Sequence, residues 1–219
     1  MAKGERKLTV SIDFDGLVFG GRPPAQMAIL QWAFAPWKYN RPFKPKFTEP
    51  PIESAPNIRP LSPKEQREVD IHARRHVKEG IKAFLEQLDA DVKMGNTGRP
   101  NNQPMVSVTE IRLEEGGVKY LFDDIKFKPE GMSSDEGKYW RFVVIKKNGG
   151  RFRHYDDNAK FIKDMAPLFP DDEFVIVEDL TSGLLFSKKE MDKNPNVTRI
   201  AIDKKGKVKQ IYPPLPKAA

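Results

Sequence analysis

The feature that most constrains the fold is a short alternating segment near the N-terminus that ends in two acidic residues. Apolar side chains occupy every second position, at Leu8, Val10, Ile12 and Phe14. A period of two residues is typical of a β-strand with a buried face. The run Ser11-Ile12-Asp13-Phe14-Asp15-Gly16 therefore predicts a strand that delivers two carboxylates to a tight turn.

Further segments alternate between strand and helix patterns. Strands are predicted at 91–95, 125–129, 151–155, 173–177 and 198–202, with another near 184–186, and helices at 62–88, 135–147 and 159–166. The continuous apolar run 142–145 also fits a strand. Residues 174–177 are all apolar, as in a strand buried on both faces. This order predicts an α/β fold of Rossmann-like type, with a mostly parallel sheet flanked by helices.

A length of 219 residues fits a single domain, which we assign to 1–219 with three additions. Prolines and aromatic residues crowd 19–63, which predicts an extended arm or a cap over a site, with a short helix at 25–34. Residues 101–124 are expected to form a small β-hairpin that turns at 114–117. Residues 203–219 form a basic, proline-rich tail.

Composition limits the classes of function. The chain has no cysteine, which excludes disulfides, thiolate zinc sites and cysteine nucleophiles. The net charge of +7 favours anionic partners, namely a phosphorylated substrate, RNA or DNA, or a ribonucleoprotein. The N-terminal residues lack the apolar stretch of a signal peptide, and no run reaches the roughly 18 apolar residues of a membrane span, so we expect a cytoplasmic protein.

Reactive side chains follow three of the predicted strands. Asp13 and Asp15 end the first strand, Thr97 and Arg99 follow the 91–95 strand, and the acidic pair 156–157 ends the 151–155 strand. Clustered carboxylates repel one another, and a divalent cation with hard oxygen ligands removes that cost, which favours Mg²⁺. One carboxylate can attack phosphorus while a second moves protons, and a threonine and a lysine can hold phosphoryl oxygens.

The three histidines of the chain are further candidates for a functional site. His72 and His76 are spaced as a metal pair on one helix, but the chain lacks the His-Glu-x-x-His pattern, so a structural or partner-facing role is favoured. His154 is predicted to be a hydrogen-bonded core histidine.

Four ordered segments resemble the motifs of the haloacid dehalogenase-like (HAD) superfamily of phosphohydrolases. They are the runs 13–18 and 97–100, a lysine for which Lys138 is the first choice and Lys128 the second, and the run 155–158. The resemblance implies that Asp13 is the nucleophile, that Asp15 is the general acid/base, and that Thr97 and the lysine bind phosphate. It also implies that Mg²⁺ is bound by Asp13, by the backbone carbonyl of Asp15, and by Asp156 and Asp157, and that Gly16, Gly98, Arg99 and Lys128 contact the substrate.

A closer likeness is to HAD-type domains of the RNA-repair-associated, polynucleotide-phosphatase-like kind. Aromatic residues and prolines after the first motif carry it: Phe19, Pro23, Pro24, Trp32 and Trp37. Leu17 and Asn158 depart from the usual motif residues. The predicted function is a Mg²⁺-dependent phosphatase for a phosphate monoester, on a nucleic-acid end or a nucleotide, acting through an aspartyl-phosphate. The alternative is a catalytically inactive HAD-like module that binds RNA or a ribonucleoprotein.

Overall fold

One seven-stranded sheet forms the centre of the computed structural model, which describes residues 6–20, 42–51, 54–177 and 193–212. The strands run in the spatial order β3-β2-β1-β4-β5-β6-β7, parallel except for β7. Their bounds are β1 Leu8–Ile12, β2 Val92–Pro100, β3 Asp124–Lys128, β4 Arg151–Asp156, β5 Glu173–Val177, β6 Val197–Ile202 and β7 Val208–Tyr212. The predicted mostly parallel, Rossmann-like α/β fold is confirmed.

Five α-helices of the described residues flank this sheet. They are α1 Pro63–Ala73, α2 Ile81–Gln87, α3 Gln103–Glu115, α4 Ser134–Lys147 and α5 Ala159–Met165, with 3-10 turns at Lys119–Leu121 and Ala166–Leu168. The Ser62 hydroxyl and the Glu65 carboxylate form a capping box at the start of α1. The single helix predicted over 62–88 is wrong. Helix α1 ends at Ala73, Val77 forms a β-bridge with Phe19, and Gly80, with a left-handed φ of 79°, caps the separate helix α2.

The core lies in two layers, one on each face of the sheet. One layer contains Val10, Ile12 and Val175, and the other is rich in phenylalanine, including Phe142, stacked on Phe152 at 4.3 Å between ring centroids. Successive residues of β5 enter opposite layers, because side chains alternate along a strand. The prediction that 173–177 is buried on both faces is therefore confirmed.

Two predicted additions differ from the structure. Residues 103–115 form helix α3, so the hairpin over 101–124 is wrong. The buried side chains Met105, Thr109 and Leu113 recur every four residues, and the Asn102 side chain caps the helix by accepting from Met105 N at 3.0 Å. The 203–219 segment is not wholly a tail either, because 208–212 pairs with β6 as the antiparallel strand β7.

Strand β2 continues to Pro100, so Thr97 and Arg99 lie within the strand and not in an exit loop. The described part of the 19–63 arm packs on the domain without a long regular element: Lys46 N and Phe47 N donate to buried Glu136 Oε1 at 2.5 and 2.9 Å. The helix at 25–34, the tryptophans at 32 and 37, and the strand near 184–186 lie outside the described residues. Within the described residues, none of the helices is long and apolar enough to cross a membrane.

Candidate functional site

The candidate site lies at the carboxyl ends of β1 and β4, the two adjacent parallel strands at the centre of the sheet. Ile12 pairs with Tyr155, and Asp13 N donates to Tyr155 O at 2.9 Å. This register places Asp13 beside Asp156 at the same edge. From β1 the chain adds β2 and β3 on one side of β1, and then adds β4 and β5 on its other side. The strand order therefore reverses at β1, and open α/β sheets bind ligands at such a position.

Three carboxylates converge at this edge. Oxygen atoms of Asp13, Asp156 and Asp157 lie within 4.8 Å of one another, and all three residues are buried. The predicted convergence of Asp13 with the 156–157 pair is confirmed. The carboxylate of Asp15 does not belong to this group.

Helix α4 places an ammonium group between two of these carboxylates. Lys138 Nζ lies 2.7 Å from Asp13 Oδ1 and 2.6 Å from Asp156 Oδ2, and its side chain is 5% exposed. The Ser133 hydroxyl fixes the start of α4 by accepting from Glu136 N at 3.1 Å. Lys128 instead donates to Met132 O at 3.0 Å. Of the two candidate lysines, Lys138 is the one whose ammonium group lies against the carboxylates, and its role in binding phosphate stays a prediction.

Burial and ion pairing shift the pKa values of Asp13 and Asp156 in opposite directions. Burial, opposed by the charge of Lys138, raises the pKa of Asp13 to about 7. Burial alone would raise the pKa of Asp156, but Lys138 and His154 hold it below its usual range, and Asn158 N also donates to Asp156 Oδ1 at 2.8 Å. Burial alone would lower the pKa of Lys138, and the charges of Asp13 and Asp156 raise it above its ordinary value.

Asp156 lies at one end of a chain of hydrogen-bonded polar side chains. His154 Nε2 lies 3.1 Å from Asp156 Oδ2, and His154 Nδ1 lies 3.0 Å from Ser11 Oγ. Asn96 Nδ2 donates to Ser11 Oγ at 3.1 Å, and Arg141 donates to Asn96 Oδ1. The prediction that His154 is a hydrogen-bonded core histidine is confirmed, and one of its bonds is to the site carboxylate of Asp156.

Asp15 forms ion pairs with two arginines beside the cluster of Asp13, Asp156 and Asp157. Arg99 Nη2 and Nε lie 2.7 and 3.1 Å from its two oxygens, and Arg75 Nη1 donates at 2.8 Å. Burial alone would raise the pKa of Asp15, but the hydrogen bonds and charge of Arg99 hold it below its ordinary value. His72 Nδ1 lies 3.5 Å from Asp15 Oδ1, and burial lowers the pKa of His72 to about 4, which leaves it neutral at pH 7.

Thr97 and Arg99 are two further predicted site residues that lie near Asp15. Thr97 is fully buried and its Oγ1 accepts from Arg99 N at 3.2 Å, so its role in phosphate binding stays a prediction. Arg99 itself is buried, donates to Thr109 Oγ1 at 2.9 Å and lies over the Phe19 ring. The structure therefore gives Arg99 a hold on Asp15, and its predicted contact with substrate stays untested.

Two glycines at the site have structural explanations. Gly16 has a φ of 95°, which allows the turn after Asp15, and its carbonyl accepts from Lys78. A Cβ at Gly98 would lie 2.1 Å from Ser134 Oγ, so this glycine permits β2 to approach the start of α4.

Sequence reasoning missed the segment that follows α1. Arg75 and Lys78 contact the loop after β1 from about sixty positions away in the chain. No local pattern relates them to that loop, so only the tertiary structure reveals the contacts.

The donor set fits a hard divalent cation. With every group ionised, three carboxylates and one ammonium leave a net charge of −2, and carboxylate oxygens are the ligands that Mg²⁺ prefers. Asp13, Asp156 and Asp157 are the side chains that would hold it.

Comparisons with known proteins give little further identification. No protein-family model matches the chain, and no curated protein matches it. Among solved structures, it is similar to a haloacid dehalogenase-like family hydrolase from Streptococcus pneumoniae, with 13% sequence identity, a TM-score of 0.47, and coverage of 90% of this chain and 94% of that one.

Proposed function

We propose that this chain is a HAD-like, Mg²⁺-dependent phosphatase that hydrolyses a phosphate monoester through an aspartyl-phosphate at Asp13. The observation that carries the proposal is the convergence of Asp13, Asp156 and Asp157 around one another with Lys138 between two of them. These residues come from separate segments, in the order that the motif resemblance requires. A nucleic-acid end or a nucleotide is the proposed substrate class, consistent with the net charge of +7.

The first half-reaction would be carried out by Asp13 and Lys138. An oxygen of Asp13 attacks phosphorus, the bond from phosphorus to the leaving oxygen breaks, and the leaving oxygen takes a proton. Lys138 holds the ammonium charge beside Asp13, where it would attract the phosphoryl oxygens as negative charge develops on them. When bound, Mg²⁺ would supply electrostatic stabilisation of that same charge.

The second half-reaction would use water. A water oxygen attacks the phosphorus of the aspartyl-phosphate, the bond to the Asp13 oxygen breaks, and inorganic phosphate leaves. In this proposal the protonated form of Asp15 gives its proton to the leaving oxygen, and the ionised form that results takes the proton of the attacking water. The arginine pairs favour its ionised form, which is the form that accepts a proton from water. An aryl phosphate, whose leaving group departs without needing a proton, is therefore the most suitable first substrate.

The test is Asp13→Asn, which keeps the shape of the side chain and removes the nucleophile. We expect phosphate release from an aryl phosphate in Mg²⁺ to fall by at least roughly 10³-fold, with an unchanged circular dichroism spectrum. Asp171→Asn, at an exposed position, serves as the matched control and should keep full activity. Equal phosphate release by the Asp13→Asn variant and the wild type contradicts the proposal.

One observation favours a second candidate, a catalytically inactive HAD-like module that binds RNA or a ribonucleoprotein. Arg99 and Arg75 engage Asp15, the residue proposed to move protons. In that case the wild type releases no phosphate from an aryl phosphate in Mg²⁺, and it binds RNA with an affinity that falls steeply with salt.

A further inference from the structure

A row of five polar side chains crosses the centre of the sheet, from Arg141 of α4 to Asp156 at the end of β4. The three between them come from adjacent strands: Asn96 of β2, Ser11 of β1 and His154 of β4. Ser11 and His154 are direct cross-strand partners, so their side chains lie on the same face of the sheet. Asn96 lies diagonally across from Ser11 on that face. We call these five side chains the relay.

Arg141 sets the direction of the hydrogen bonds at its end of the relay. A guanidinium group has donors and no acceptor. Arg141 donates to Asn96 and to the Phe127 carbonyl, so the Asn96 atom that faces it is the amide oxygen. The amide nitrogen of Asn96 therefore faces Ser11 Oγ, to which it donates at 3.1 Å.

The Ser11 hydroxyl carries this direction on to His154. Ser11 is fully buried, and its Oγ has two hydrogen-bond partners in the part of the chain that the structure describes, Asn96 Nδ2 and, at 3.0 Å, His154 Nδ1. Because Asn96 Nδ2 is a donor, His154 Nδ1 is the partner left to accept the hydroxyl hydrogen. An Nδ1 that accepts carries no hydrogen, so the imidazole hydrogen lies on Nε2.

Asp156 requires the same arrangement from the other end. His154 Nε2 lies 3.1 Å from Asp156 Oδ2, which also accepts from Lys138 Nζ at 2.6 Å. A carboxylate oxygen is an acceptor, so Nε2 is the donor of this pair. The His154 ring is packed among three phenylalanine rings with centroids 5.0, 5.6 and 6.3 Å away, those of Phe142, Phe161 and Phe174. The imidazole is thus held by apolar contacts while both of its nitrogens face relay partners.

We propose that Arg141 is a positioning residue for Asp156 and acts through a relay in which every hydrogen bond is donated towards Asp156. Arg141 lies three positions after Lys138 on α4, so one face of this helix engages Asp156 directly through Lys138 and indirectly through the relay. Fixing Asp156 Oδ2 orients a carboxylate that would hold Mg²⁺, and hydrogen bonds of this kind raise metal affinity. The inference deepens the proposed function and rests on it for the role of Mg²⁺, whereas the direction of the hydrogen bonds is a property of the metal-free chain.

A long-range ¹H–¹⁵N correlation spectrum of the whole metal-free chain measures where the hydrogens lie. The chain has three histidines, and the spectrum of His154→Phe identifies the signals of His154. We expect a protonated Nε2 and an unprotonated Nδ1 in the wild type. Asn96→Asp keeps the side-chain shape but replaces the donor by an acceptor, so the Ser11 hydroxyl should turn to the new carboxylate and Nδ1 should gain a hydrogen. Asn148→Asp, at an exposed position, is the matched control and should keep the wild-type pattern.

Calorimetric titration with Mg²⁺, in the absence of substrate, tests the effect on the site. Arg141→Met removes the donor and should weaken Mg²⁺ binding by roughly 5-fold, the worth of about one hydrogen bond. Combined with His154→Phe, which already interrupts the relay, the same substitution should change the affinity less than roughly 2-fold.

Three results would each overturn the proposal: a hydrogen on Nδ1 of wild-type His154, an unchanged His154 pattern in folded Asn96→Asp, or an equal loss of Mg²⁺ affinity from Arg141→Met with and without His154→Phe. The wild-type spectrum decides the first of these even where a variant does not fold. A wild type that shows the expected spectra but releases no phosphate contradicts the proposed function and supports the relay.

Discussion

Lys138→Met tests how much the Lys138 ammonium group stabilises the cluster of Asp13, Asp156 and Asp157. The variant keeps most of the side-chain length but leaves Asp13 and Asp156, which are 4% and 0% exposed, without the cation that lies 2.7 and 2.6 Å away. Removing one partner of a buried ion pair costs about 3–5 kcal/mol. For a chain of this size the melting temperature should then fall by roughly 6–20 °C.

The assay is thermal unfolding at neutral pH in a chelator, with Lys147→Met as the control because Lys147 is exposed on the same helix. The control should stay within about 0.5 kcal/mol of the wild type. Adding Asp156→Asn to Lys138→Met should cost less than the sum of the single losses, by about 1–3 kcal/mol. Additive losses, or a melting temperature for Lys138→Met equal to that of the wild type, would refute the view that Lys138 neutralises these carboxylates.

Three further perturbations test other contacts. His154→Phe removes a hydrogen bond from the site carboxylate of β4 and should weaken Mg²⁺ binding by about 10–100-fold in a calorimetric titration; unchanged affinity contradicts a positioning role. Gly98→Ala should destabilise the fold by about 1–3 kcal/mol in urea unfolding, because its Cβ would lie 2.1 Å from Ser134 Oγ, and Ser134→Gly should restore stability. Hydrogen bonds from Arg59 and the helix cap lower the pKa of Glu65 to about 2. The stabilisation that ionised Glu65 provides is therefore present above pH 4.5 and lost as the pH falls towards 2. The difference in melting temperature between Glu65→Gln and the wild type should disappear over that interval, and a difference that stays constant contradicts this expectation.

Local patterns in the sequence predict the strands well, because burial on a sheet leaves a direct record in the order of residues. The strand predicted at 173–177 has the same bounds as β5, and Asp13 and the 156–157 pair were placed at strand ends that the structure brings together. Adjacent parallel strands align their carboxyl ends, so the convergence followed from the predicted topology.

The pattern of apolar residues led to a wrong prediction where it fits both the two-residue period of a strand and the period of nearly four residues of a helix. Residues 105–113 contain apolar side chains at spacings that fit either a strand or a helix, and the helix forms with Asn102 as its cap. Length and the cap decide between them, and the cap is recognisable only once the helix start is known.

The sequence by itself determined a parallel α/β sheet whose first strand ends in Asp13 and Asp15, because alternation and chain order are local properties. Only the tertiary structure decided what each carboxylate faces: Asp13 meets Lys138, whereas Asp15 meets Arg99 and Arg75. The physical reason is that an ion pair depends on distance in space, and no local pattern in the sequence relates Asp15 to Arg75 or Arg99, which are sixty or more positions away. The paired carboxylates of the first loop are thus similar in sequence and distinct in environment.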